Sequence, residues 1–153
     1  MTMHYDIDIT RKNRILLEGF LDRFTLEQLN KVPTGFKNNI IWNIAHCIVT
    51  QQLLVYKLSG LESVLSDEMI SLYRKGTKTE HYVSQAEVDE IRNLLYTPIN
   101  QTEEDYNKGV FKDFKGYTVS TGSILTNVDE ALAFNNFHEG IHYGYILALI
   151  KAL

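Results

Sequence analysis

Apolar residues recur at helical intervals over most of the chain. Ile9, Ile15, Leu16, Phe20 and Phe24 are spaced in this way, with Arg11, Lys12, Glu18, Asp22 and Arg23 between them. The pattern predicts a first helix from about Asp8 to Phe24. Residues 25–31 read as a short extra turn, ended by Pro33 and Gly35. A second helix is expected from Asn38 or Asn39, either of which suits a cap, to about Leu58, with Gly60 as its stop. Within it Trp42, His46, Val49, Leu53 and Tyr56 follow intervals of 4, 3, 4 and 3, the seam of a bundle helix. A shorter helix is expected over Asp67 to Arg74, closed by Gly76. The next begins at Ser84, where Ser84 and Glu87 form a capping box, and carries Val88, Ile91, Leu94 and Leu95 on one stripe. Pro98 predicts a kink or an early end there. From Gly109 to Gly122 the helical period gives way to a structured loop with room for a short extended pair. A last helix is expected from near Asn127 to about Lys151, with Asp129 and Glu130 in its first turn. The pattern as a whole predicts one all-α domain over residues 1–153, a four-helix bundle with a short extra helix and a structured loop before the last helix. Its expected core includes Trp42, Val49, Leu53, Phe134, Ile141 and Leu149.

Composition narrows the function classes. The 153 residues are 44% hydrophobic and 22% charged, with a net charge of −4. These values exclude a disordered tail, a collagen-like fibre and a disulfide-rich miniprotein, and they imply no basic nucleic-acid surface. Cys47 is the single cysteine, so the chain needs no oxidising compartment. The start of the sequence is acidic and lacks the apolar stretch of a secretory signal. No apolar run approaches the ~18–20 residues of a membrane span. The expectation is a soluble, cytoplasmic protein.

The candidate chemistry lies in His138-Glu139-Gly140-Ile141-His142. Two histidines four apart on a helix share a face, so their rings can converge on one metal ion. Zinc or a similar metal accepts imidazole nitrogen at about 2.0–2.1 Å, and two ligands rarely suffice. His46, on the seam of the second helix, is the candidate third. Three uncharged imidazoles in one core with neither metal nor partners would leave polar nitrogens unsatisfied. The same five residues match H-E-x-x-H, in which Glu139 would be a general base. A protease of that type takes its third ligand downstream, however, and residues 143–153 contain no His, Asp or Glu. Glu139 is therefore expected either as a proton acceptor beside the site or as a carboxylate on the bundle flank. Asn43 and Asn135, three residues before His46 and His138, are each placed to accept a ring N–H or to serve as a cap or polar flank. Cys47 reads as a small buried apolar residue. Tyr143 and Tyr145 read as packing residues. His4 and His81 are assigned no role.

The segment Trp42-Asn43-Ile44-Ala45-His46, together with Phe137 to Gly144, resembles the DinB (DinB/YfiT-like) family. The likeness extends over nearly the whole chain, from an arginine-bearing first helix to the closing H-x-x-x-H helix. It implies an up-down-down-up four-helix bundle. It also implies a divalent metal, usually zinc or nickel, held by His46, His138 and His142 with water. Some relatives are S-transferases or isomerases that use a low-molecular-weight thiol, and many have no assigned reaction. The resemblance thus implies a metal-dependent hydrolase or thiol S-transferase acting on a small molecule, and a homodimer. No nucleic-acid or membrane partner is expected. The alternatives are a non-catalytic stress or interaction protein with a structural metal, and a metal-free dimerising bundle. The substrate pocket is expected at the bundle end near His46, bordered by residues 31–39 and 109–122.

Overall fold

A computed structural model describes residues 4–153. The helices are α1 (Tyr5–Arg23), α2 (Leu26–Asn30), α3 (Ile40–Val55), α4 (Asp67–Tyr73), α5 (Gln85–Leu94), α6 (Thr97–Asn107) and α7 (Val128–Ile150). A single 3-10 turn, Lys57–Ser59, follows α3. Strands β1 (Tyr117–Thr118) and β2 (Ile124–Leu125) pair antiparallel, with Tyr117 opposite Leu125. The architecture is the expected all-α bundle. Its long columns are α1, α3, α7 and the broken pair α5–α6. Helix α7 lies between α1 and α3, and α5–α6 packs against α1, with α5 also reaching α3.

Local chemistry sets the boundaries. The Asn39 side chain accepts the Trp42 backbone N–H and starts α3, and Asn127 does the same for Glu130 at the head of α7. The Ser84–Glu87 capping box forms as the sequence predicts, and Thr25 with Gln28 makes a second one. Gly60, at φ 71°, closes the turn after α3 in a left-handed conformation that favours glycine. Pro98 sits in the first turn of α6, where its missing N–H costs nothing, and the helix expected from Ser84 onward is split there into α5 and α6.

Three expectations are corrected. Helix α3 buries far more than one seam: every residue except Thr50 and Leu53 is buried, so it is the central strut of the bundle. Helix α1 is rotated relative to its apolar pattern. Ile15 and Leu16 are exposed, whereas Ile7, Thr10, Arg14, Leu17, Phe20 and Leu21 face inward. The reason is electrostatic. Arg14 is fully buried because its Nε donates to Glu139 Oε1 at 2.6 Å, a pairing that a hydrophobicity pattern does not register. Finally, Ile141 is half exposed rather than in the core. Trp42, Val49 and Leu149 are buried as expected, and Leu53 and Phe134 are partly so.

Among the described residues, no helix is long and apolar enough to cross a membrane.

Candidate metal centre

The site forms where the middle of α3 meets the C-terminal half of α7. His138 and His142 stand one turn apart on the same face of α7, and His46 projects from α3 toward them. The ring centroids of His46 lie 5.0 Å from His138 and 4.6 Å from His142, and those of His138 and His142 are 4.5 Å apart. One nitrogen from each ring falls within 4.8 Å of the other two. Nε2 of His46 and Nε2 of His138 are 3.2 Å apart. A tetrahedral ion with bonds of 2.0–2.1 Å holds its ligand atoms about 3.3 Å from one another.

The surroundings decide which nitrogens carry protons. Nδ1 of His46 lies 2.6 Å from the Tyr73 backbone carbonyl oxygen, which can only accept. Nδ1–H must therefore donate, and the lone pair is left on Nε2. The Asn43 amide is oriented by its own bond, since its Nδ2 donates to the Asn39 carbonyl at 2.8 Å. That leaves Asn43 Oδ1, 2.8 Å from His142 Nδ1, as an acceptor. His142 is thus also protonated on Nδ1, with its Nε2 lone pair available. Two of the three rings are held in the tautomer a metal ligand needs by oxygen acceptors behind them, a common arrangement around bound imidazoles. Nδ1 of His138 is buried with no hydrogen-bond partner among the described residues, so this ring is the least anchored. Trp42 stacks on His46 at 4.6 Å and 11° between planes, fixing the ring from its side. The Thr50 hydroxyl, one turn after His46, reaches its Nε2 at 3.4 Å.

Burial keeps this cluster neutral. It lowers the pKa of His46 against the opposing pull of the Tyr73 carbonyl. It pushes His138 down to about 3, helped by the neighbouring His142 and His46 and by the positive charge of Lys75. His142 falls to about 4 through burial and then His46. His138 and His142 are therefore uncharged, each with a lone pair free to ligate, well below neutral pH, and the shift of His46 runs in the same direction.

A cavity of about 460 Å³ opens on the three rings. Its far wall is the loop expected to border it. Lys115 N–H donates to the Leu58 carbonyl at 2.6 Å, and Phe114, Val119 and Leu125 pack with Leu54 and Ala131, which seats the loop on α3 and α7. Residues 31–39 do not line it. The 3-10 turn after α3 and Lys75, beyond α4, take the place expected for them.

Glu139 lies elsewhere. One residue on from His138 turns its side chain roughly 100° around α7, toward α1. Its Oε1 accepts from Arg14 and its Oε2 from Asn135. It is 1% exposed and does not line the cavity, so a carboxylate read as a proton acceptor beside the histidines instead joins two helices. Burial raises its pKa, and Arg14 and Asn135 oppose that rise. Asn135 accordingly serves Glu139 rather than His138, and Asn43 serves His142 rather than the nearer-in-sequence His46. Cys47 is buried as expected. Tyr143 packs on Phe20 and Tyr145 on Phe36. His81 meets Glu87 at the surface. The Tyr73 carbonyl was not foreseeable, because a backbone acceptor leaves no mark on residue type. Thr50, at the helical interval of four from His46, was.

The chain belongs to the DinB superfamily, whose family model matches residues 9–146. No curated protein matches it significantly.

The low pKa values carry a stability consequence. In the unfolded chain a histidine titrates near 6.5, whereas His138 and His142 hold out to about 3 and about 4 when folded. Between these limits the unfolded state binds more protons, so stability falls as pH falls. From pH 7 to pH 5 the metal-free protein is expected to lose about 2 kcal/mol for each of the two rings. Urea unfolding at the two pH values measures the loss, which shrinks in the His138→Ala/His142→Ala variant. An equal loss in that variant would assign the acid sensitivity to other groups.

Proposed function

We propose that the protein is a divalent-metal-dependent enzyme that uses His46, His138 and His142 to activate water or a thiol against a small-molecule electrophile. The observation that carries this reading is the pair of fixed tautomers: the Tyr73 carbonyl and Asn43 Oδ1 leave two Nε2 lone pairs directed into one cluster, beside an open cavity. A structural zinc site is usually closed by four protein ligands. Here three neutral ligands face space in which a substrate fits. A divalent ion bound there, zinc or nickel by family expectation, supplies Lewis acidity and lowers the pKa of water or a thiol. The chain's own residues do the rest. The three rings add no negative charge and so leave the ion strongly acidifying. Trp42 and Asn43 hold two of them in place, and the apolar loop wall limits access of bulk water.

Protein purified without an affinity tag is expected to contain metal by elemental analysis. A panel of esters, and of electrophiles paired with low-molecular-weight thiols, is then run with added zinc, nickel or manganese and with a chelator. Turnover is expected with metal, rising with pH, and is lost with chelator and in the His46→Ala/His142→Ala variant. Turnover that survives both treatments would place the chemistry elsewhere.

A further inference from the structure

The cavity has a chemical character beyond its three histidines. Its wall is largely apolar, with Leu54, Leu58, Val119, Phe134 and Ile141 among its lining side chains. Two cations, Lys57 and Lys75, stand on it, and among the described residues no carboxylate lines it. This contrasts with the chain as a whole, which carries 19 acidic and 15 basic residues. Neither ammonium has an ion-pair partner among the described residues, and both side chains are exposed at the rim. The two lysines come from separate segments, one from the turn that ends α3 and one from the loop after α4, so the fold rather than a local charge run brings them to one opening. Unpaired like charges at a low-dielectric opening focus a positive potential into it. The volume, about 460 Å³, is that of a pocket for a compact organic molecule.

We infer that the cavity takes an amphipathic organic anion, a carboxylate or similar group on an apolar body, with the anionic end at Lys57 and Lys75 and the body against the Leu54–Phe134–Ile141 wall. This names a substrate class for the site proposed above and rests on that reading. A cation of the same shape meets two repelling ammonium groups. A neutral analogue gains the wall and nothing from the rim.

The test uses octanoate, octanol and octylammonium, which share one apolar chain. Binding is measured by calorimetry on metal-free and zinc-loaded protein, with zinc stoichiometry determined on the same samples. In the metal-free protein octanoate is expected to bind about tenfold more tightly than octanol, and octylammonium more weakly than either. In the zinc-loaded protein the carboxylate also meets the ion, so the contribution of the lysines is read on the metal-free form. In the metal-free protein Lys57→Gln/Lys75→Gln is expected to bring octanoate down to octanol, while Ile141→Asn, an uncharged change at a half-exposed position, weakens both alike. Equal affinity for the three compounds, absence of octanoate binding, or an octanoate preference retained in the metal-free lysine variant would each overturn the inference. Failure to take up zinc would overturn the metal reading by a separate signal.

Discussion

Replacing Arg14 with Met is expected to destabilise the fold by about 3–5 kcal/mol, the cost of leaving a buried charge without its partner. Arg14 and Glu139 have fully buried side chains, and the Nε–Oε1 distance is 2.6 Å. Arg14 also donates through Nη1 to the Leu95 carbonyl, where α5 ends, at 3.2 Å. One side chain on α1 thereby ties α7 and the break between α5 and α6. Without it the Glu139 carboxylate keeps only Asn135, and burial drives it to take up a proton. The pair itself is an expensive device, since Arg14 Nη2 and Asn135 Oδ1 remain buried without partners among the described residues. Replacing both members by apolar groups, Arg14→Met with Glu139→Leu, should therefore recover much of the loss. Urea denaturation of the two single variants and the double variant measures this. A loss below about 1 kcal/mol for Arg14→Met would mean that the ion pair is not what holds α1 to α7. Glu139→Gln keeps an acceptor for Arg14 but leaves its buried charge uncompensated, so it should be less stable than the parent while binding metal as the parent does.

The second large effect is on metal content. His138→Ala should reduce bound zinc from about one ion per chain to near zero after equilibrium dialysis, because two imidazoles hold a divalent ion poorly. His142→Ala should do the same. Asn43→Ala should weaken binding about 10–100-fold without abolishing it, through loss of the acceptor that fixes His142. His81→Ala, at an exposed ring paired with Glu87, serves as the control and should leave stoichiometry unchanged. Elemental analysis reads each case. Full occupancy in both His138→Ala and His142→Ala would show that the ion, if bound, sits elsewhere.

Both predictions draw on residues of α7 one position apart, and they show which features the sequence made legible. The histidine pair was legible because helical geometry alone puts residues four apart on one face. The partner on α3 was legible because His46 falls on an apolar seam. Helix boundaries followed from Asn39, Ser84, Pro98 and Asn127, whose roles are local. What escaped was long-range. Nothing in α1 marks Arg14 as buried, since its burial depends on Glu139 far along the chain, and the apolar pattern pointed instead to Ile15 and Leu16. Ile141 reads as core on any hydrophobicity count, yet it faces the cavity that the loop and α3 leave open beside it. Which segment lines that cavity, Lys75 rather than residues 31–39, depends on how the chain after α4 returns, a property of tertiary packing.

The stacking of Trp42 on His46 makes the protein its own optical instrument. The chain has a single tryptophan, and its indole lies 4.6 Å, ring to ring, from one of the three histidines and 6.4 Å from another. All intrinsic indole emission therefore originates beside the cluster. Nickel bound there would quench that emission by proximity, zinc would change it only through the ring it stacks on, and protonation of His46 would alter it again. Occupancy, exchange between metals and acid release can accordingly be followed on the unlabelled chain, in real time, from the light of one side chain.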